Sequence, residues 1–275
     1  MTTDPPGTAP EAAHAADSLV EPGVWPKGAT PVPSDAPARV PPLSAAERLA
    51  APLEVVICSG FPTQIAVASA LSLAGVRPVD AGGNLTRMWV VALSLIDAAL
   101  VICLVLWFTR LHGERPGEVF LGRRPVLREG LLGLPLIPVV FTIAVVSMAS
   151  LYGLAPWMHN VARNPLQDML RTAGDAWVFG FVVIVSGGVR EEVQRAFVLR
   201  RFEQYLGGPW VGLILFSAAF GAGHVIQGWD VALTVATLGA FWGIVYLRRR
   251  SIAAPVVSHA GFNVLEILRY TLYGA

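Results

Sequence analysis

The chain has 275 residues, 54% of them hydrophobic and 14% charged, with a formal net charge of +1. Soluble domains run at about 45–50% apolar and about 25% charged. The balance therefore excludes an ordinary water-soluble domain, and near-neutral charge gives no nucleic-acid footprint. Cys58 and Cys103 both fall inside apolar runs, which argues against a disulfide framework and against a CxxC metal or redox pair.

In chain order, the first element is a tail. Residues 1–52 carry "TDPPGTAP" and "TPVPSDAPARVPP", rich in Pro and Ala and poor in large apolar residues. Such a segment buries too little surface to offset its ordering entropy, so it is expected to be disordered. It lacks the basic start and apolar core of a signal peptide. Residues 53–275 read as an all-α, polytopic transmembrane bundle of about seven spans, since a ~30 Å hydrocarbon core needs roughly 20 apolar residues per helix. The spans are expected near Val55–Val76, Met88–Phe108, Leu131–Leu154, Asp175–Phe202, Pro209–Ile226, Val231–Leu247 and Ser251–Leu272. Pro62, Pro135 and Pro138 should kink or delimit their helices. No internal repeat is found.

Arginine placement sets the expected orientation. Arg110, Arg115, Arg123, Arg124 and Arg128 follow the second span, Arg200 and Arg201 the fourth, and Arg248, Arg249 and Arg250 the sixth. The loop Gly153–Ala173 offers only Arg163 and Arg171. A cytoplasmic N-terminus and an external C-terminus in a bacterial plasma membrane are therefore expected.

The stretch "GGVREEVQRAF" places Arg190, Glu191, Glu192 and Arg195 after an apolar run. Only 14 apolar or small residues, Ala176 to Val189, precede them. As a helix these rise about 21 Å, too little to cross. The helix is expected to continue until Arg200 and Arg201 snorkel to the surface, which leaves the two glutamates inside the membrane. Ionisable residues at that depth usually line a pathway or a site. "FGAGH" sets Phe220 and His224 one helical turn apart, and "HAGFN" does the same for His259 and Asn263. Counted along the helices, all three groups reach one mid-membrane layer. Two carboxylates and two imidazoles can hold a water, take its proton and return it to a leaving amine, while an amide can donate to an oxyanion. Gly221, Gly223 and Gly261 would either make room for a substrate or let helices pack closely. Asp97 must find a partner inside the bundle; Gln64 is expected to satisfy backbone near Pro62. Gln194 and Glu266 would line the cavity or pair between helices. Asp230 reads as an N-cap and Trp229 as an interfacial anchor.

At these residues, over about 175–270, the chain resembles the CPBP family of intramembrane proteases, the CAAX-protease and bacteriocin-processing group also called Abi. That family shows EExxxR, FxxxH and HxxxN or HxxxD in this order on successive helices. The resemblance implies Glu191 acting with His224 to activate water, His259 and Asn263 as oxyanion donors, and Glu192 with Arg195 shaping the site. It implies a glutamate-type mechanism with no cofactor; a zinc ion on Glu191, His224 and His259 is the alternative. The first motif departs from the pattern, because Arg195 stands four residues after Glu191 rather than five. Aligning the arginine instead puts Arg190 in the catalytic place. The glutamate register keeps the acidic pair and is preferred; it makes Glu191 and Arg195 an i,i+4 pair that would keep Glu191 ionised.

The expected function is an intramembrane endopeptidase acting on membrane-associated peptides or proteins within the lipid bilayer, with no nucleic-acid partner and no implied oligomeric state. Two rivals stand beside it: an inactive scaffold or immunity protein, and a proton-coupled transporter relaying through Asp97 and the glutamates.

Overall fold

The computed structural model describes Met1, residues 45–162 and residues 164–273. Most of the expected tail, Arg163 and Ala275 lie outside the described residues. Helix α1 (Ala45–Ile57) begins inside the segment read as tail. It is followed by α2 (Phe61–Leu73), α3 (Arg87–Leu111), α4 (Val126–Leu154), α5 (Ala173–Val182) and a π-helical segment, Val183–Arg190. Helix α6 (Glu191–Tyr205) continues directly from that segment, and α7 (Pro209–Ala222), α8 (Trp229–Arg249) and α9 (Ala253–Tyr273) complete the chain. Among the described residues there is no strand beyond one isolated bridge, Val79 to Leu85, so the fold is all-α.

Each of the seven expected segments is present as a helix or a helix pair. Four are long and apolar enough to cross a membrane: Arg87–Leu111, Val126–Leu154, the continuous Ala173–Tyr205, and Trp229–Arg249. A fifth is the α1–α2 pair, if its 46° bend is taken as one broken span. The break falls at Gly60, whose φ of 88° is left-handed, and Pro62 sits at the start of α2 rather than inside a continuous helix. Pro135 and Pro138 delimit nothing; α4 runs through both. Helix α7 has 14 residues, a rise of about 21 Å. In α9, His259, Asn263, Glu266 and Arg269 dilute the apolar character along the whole length.

Packing is built on small residues. A Cβ on Gly188 would come within 2.7 Å of Ala260 on α9. One on Gly221 would meet the Ala232 carbonyl at 2.5 Å, and one on Gly261 would meet Ile137 at 2.5 Å. Close helix contact is thus the role of Gly221 and Gly261. Gly223 is looser, with nothing nearer than 3.4 Å. The arginine-rich end is held by buried ion pairs. Arg201 is fully buried rather than snorkelling, with Nε 2.9 Å from Glu54 and Nη1 2.7 Å from Glu114. Its solvation is replaced by carboxylates that α1 and the α3–α4 loop bring to it.

Candidate active site

The π-helical segment decides where the charged stretch points. A π turn carries more residues per turn than an α turn, so the side chains beyond it are rotated from their straight-helix directions. Arg190 is directed at α3, where its Nη2 lies 2.6 Å from Asp97; Thr63 also donates to Asp97. Asp97 therefore has the structural partners its depth demands, and Arg190 is a buried half of an ion pair rather than a flank of the site. Glu191 lines the large cavity. Glu192 is 1% exposed and is not among the residues lining that cavity.

The expected pairing of Glu191 with Arg195 is not what forms. Arg195 donates to Glu192, three residues earlier. Its guanidinium lies 5.0 Å from the Phe220 ring and 5.7 Å from both Phe216 and Trp242, inside an aromatic cage that favours a cation. Gly239 and Gly243 make this possible: a Cβ on Gly239 would meet Phe220 at 2.9 Å, and one on Gly243 would meet Leu213 at 2.3 Å. Arg195 thus supports the site from behind, through Glu192, and Phe220 closes the cage.

His259 stands between the two glutamates. Its Nδ1 is 2.8 Å from Glu192 Oε1 and its Nε2 is 3.7 Å from Glu191 Oε2. The ring lies flat on Trp242, centroids 3.7 Å apart, and the Trp242 indole donates to Ser258 Oγ at 3.1 Å. Orientation, not merely proximity, is therefore fixed. Because a carboxylate only accepts, Nδ1 carries a proton; Nε2 can donate as well only as the imidazolium, whose charge the flanking carboxylates would balance.

His224 does not lie on the helix where its spacing placed it. Helix α7 ends at Ala222, and His224 follows in the turn, Nδ1 2.9 Å from the Phe220 carbonyl. A carbonyl also only accepts, so Nδ1 donates and neutral His224 presents a free lone pair at Nε2. Asn263 sits on α9, where Gly187 is required beside it: a Cβ there would lie 2.5 Å from Nδ2. Glu191, His224, His259 and Asn263 all line one cavity of about 1010 Å³, walled mainly by apolar residues such as Phe141, Val145, Phe179 and Leu238.

Other expectations resolve individually. Gln194 bonds the Cys58 carbonyl at 2.7 Å and is buried; Glu266 lines the cavity while pairing with Arg269 at 2.9 Å. Gln64 is exposed, and it is Thr63 that donates to the Gly60 carbonyl. Asp230 is not the N-cap, a place held by Gly228; it lies inside the first turn and pairs with His159 at 2.7 Å. Trp229 is exposed at 52%, as an interfacial residue would be. Trp242 was missed as a site residue. Its signal was the Gly239-x-x-x-Gly243 spacing, the kind that lets neighbouring helices approach. Among the described residues no group of three or more His, Cys, Asp or Glu side chains is placed to hold a metal ion.

Helices of membrane length around a partly buried cluster of carboxylate, imidazole and amide define a polytopic integral membrane protein. Residues 172–265 match the family model described as type II CAAX prenyl endopeptidase, Rce1-like. That segment holds every residue of the three motifs and supports the resemblance to the CPBP and CAAX-protease family. No curated protein and no solved structure matches the chain.

Proposed function

We propose that the protein is an intramembrane endopeptidase that hydrolyses a peptide bond of a membrane-associated substrate. The carrying observation is that Glu191, His224, His259 and Asn263 converge on one apolar cavity. Glu191, with His224 Nε2 as second acceptor, takes a proton from water as its oxygen attacks the carbonyl carbon. The Asn263 amide, with His259 as imidazolium, donates to the developing oxyanion. The carbon–nitrogen bond then breaks as the stored proton passes to the leaving amine. Protons and electron pairs balance with water as the only co-reactant. The mechanism as written needs no metal: Glu191 and the His224 lone pair supply the base, and water the nucleophile. The arginine-rich end is placed at the cytoplasmic face, with the C-terminus outside.

The test is cleavage in detergent of two internally quenched peptides. Each ends in a cysteine followed by three residues, and one carries a farnesyl group. We expect cleavage of at least one by the parent chain. Binding without cleavage would transfer the reading to a scaffold. About one zinc per chain by elemental analysis, lost with activity on chelation, would overturn the metal-free mechanism.

A further inference from the structure

Threonine on a membrane helix usually satisfies its hydroxyl against the carbonyl four residues earlier. Thr109, Thr142, Thr237 and Thr271 do so, at 2.7 to 3.0 Å. Thr234 on α8 does not. The residue is 5% exposed, its Oγ1 has no hydrogen-bond partner, and its side chain lines the cavity that holds Glu191 and His224. A buried, unpaired hydroxyl is costly to leave that way. Ser217 is orphaned too, but it does not line this cavity. The neighbours of Thr234 on the α8 wall, Val231, Val235, Leu238 and Trp242, carry no group that could replace it except the Trp242 indole, which is committed to Ser258.

The position suits a peptide. Trp242 stacks on His259 and so marks the depth of that imidazole. Thr234 lies eight residues earlier, a rise of about 12 Å, or roughly four residues of extended chain. Gly221 packs on Ala232 and Ala236, so the end of α7 bearing Phe220 and His224 flanks this stretch of α8. A hydroxyl both donates and accepts, and can serve either a peptide N–H or a carbonyl.

We propose that Thr234 is a substrate-binding residue whose hydroxyl hydrogen-bonds the backbone of a peptide lying in the cavity. This rests on the peptidase reading above. A contact to substrate backbone that takes no part in the bond changes is equal in ground and transition state, so its loss raises KM and spares kcat.

The experiment compares the parent with Thr234→Val, which keeps the shape, and Thr234→Ser, which keeps the hydroxyl. The quenched farnesylated peptide supplies the kinetics. The same peptide without a quencher reports affinity for each chain made non-cleaving by Glu191→Gln, read by fluorescence anisotropy. Thr234→Val should raise KM and Kd about three- to tenfold, leave kcat within twofold, and keep or raise the unfolding temperature. Thr234→Ser should stay near the parent. Unchanged KM and Kd in Thr234→Val would overturn the inference. So would a fall in unfolding temperature shared by both variants, since that marks a structural hydroxyl. A parent that binds the peptide but never cleaves it removes the peptidase reading alone. Equal binding by parent and Thr234→Val removes this inference alone, and a parent that neither binds nor cleaves removes both.

Discussion

The two ends of the second half of the continuous helix treat charge in opposite ways. Near Tyr205, charge is saturated: Arg201 contacts Glu54, Glu114 and Gln204, Arg200 contacts Glu114 and Glu203, and Glu203 is bridged by Arg250. Near Glu191 it is not. Glu191 lies 3.7 Å from the nearest His259 nitrogen, beyond hydrogen-bond length. Glu192 Oε2 and two Arg195 nitrogens are buried without hydrogen-bond partners. The saturated layer has spent its bonding capacity on holding α1, α3, α6 and the turn before α9 together. The open layer keeps capacity for something outside this chain. Residues of the first kind should govern stability when changed, and those of the second should govern turnover.

The sharpest way to break this contrast lies within one dipeptide. Glu191→Gln keeps the shape and removes the basicity, so cleavage should vanish while the unfolding temperature holds. Glu192→Gln should lower both, because Arg195 and His259 then lose their carboxylate partner in a site 1% exposed. A Glu191→Gln chain that still cleaves, measured with the quenched peptides, would mean the open carboxylate is idle.

Asn263 comes next in size. Removing one oxyanion donor costs on the order of 10²–10³ in turnover, and Asn263→Ala should fall in that range in kcat with folded yield retained. A loss confined to KM would place the amide on substrate binding instead.

Arg190 tests the other side of the comparison. Its neighbour in sequence is catalytic in the proposed mechanism, yet its own partner is Asp97, 2.6 Å away on α3. Burial makes Arg190→Gln costly, since breaking a buried pair from one side costs about 3–5 kcal/mol. The variant should unfold markedly earlier in a thermal melt, and Asp97→Asn added to it should restore part of the loss. An unaltered melt would show the pair to be dispensable.

These contrasts also mark what was legible beforehand. Hydropathy runs located the helices, because membrane length is a strong constraint, and the side chains picked out by the spacings FGAGH and HAGFN line one cavity. Directions around the helix were not legible. Nothing in "VIVSGGVR" announces a π segment, so the Glu191–Arg195 pair expected from straight-helix spacing does not form, and the partner of Arg190 on α3 was not legible. The end of α7 was hidden in the same way: helical counting carried His224 past Ala222, where the chain in fact turns. Cross-helix partners, such as Trp242 under His259 or Glu54 beside Arg201, depend on packing that only the assembled bundle reveals.

The smallest expected effect concerns the saturated layer and pH. Glu114 lies in the loop after α3, outside the membrane-spanning segments. Burial pushes its carboxyl up, but hydrogen bonds and charge from Arg200 and Arg201 outweigh this and hold it below the ordinary range. A group depressed on folding contributes stability that is fully present above its unfolded pKa, about 4.3 for a glutamate. That contribution is lost as pH falls through the lower folded value. The parent should therefore lose thermal stability progressively below about pH 4.3, where the arginines remain charged. Glu114→Gln should start lower at neutral pH and show a shallower acid limb, since the glutamine cannot take up the proton. The informative quantity is the difference between the two melting curves across pH. If the curves stay parallel from neutral pH down to pH 3, Glu114 is not part of what holds this end of the bundle, and the saturated layer is narrower than its geometry suggests.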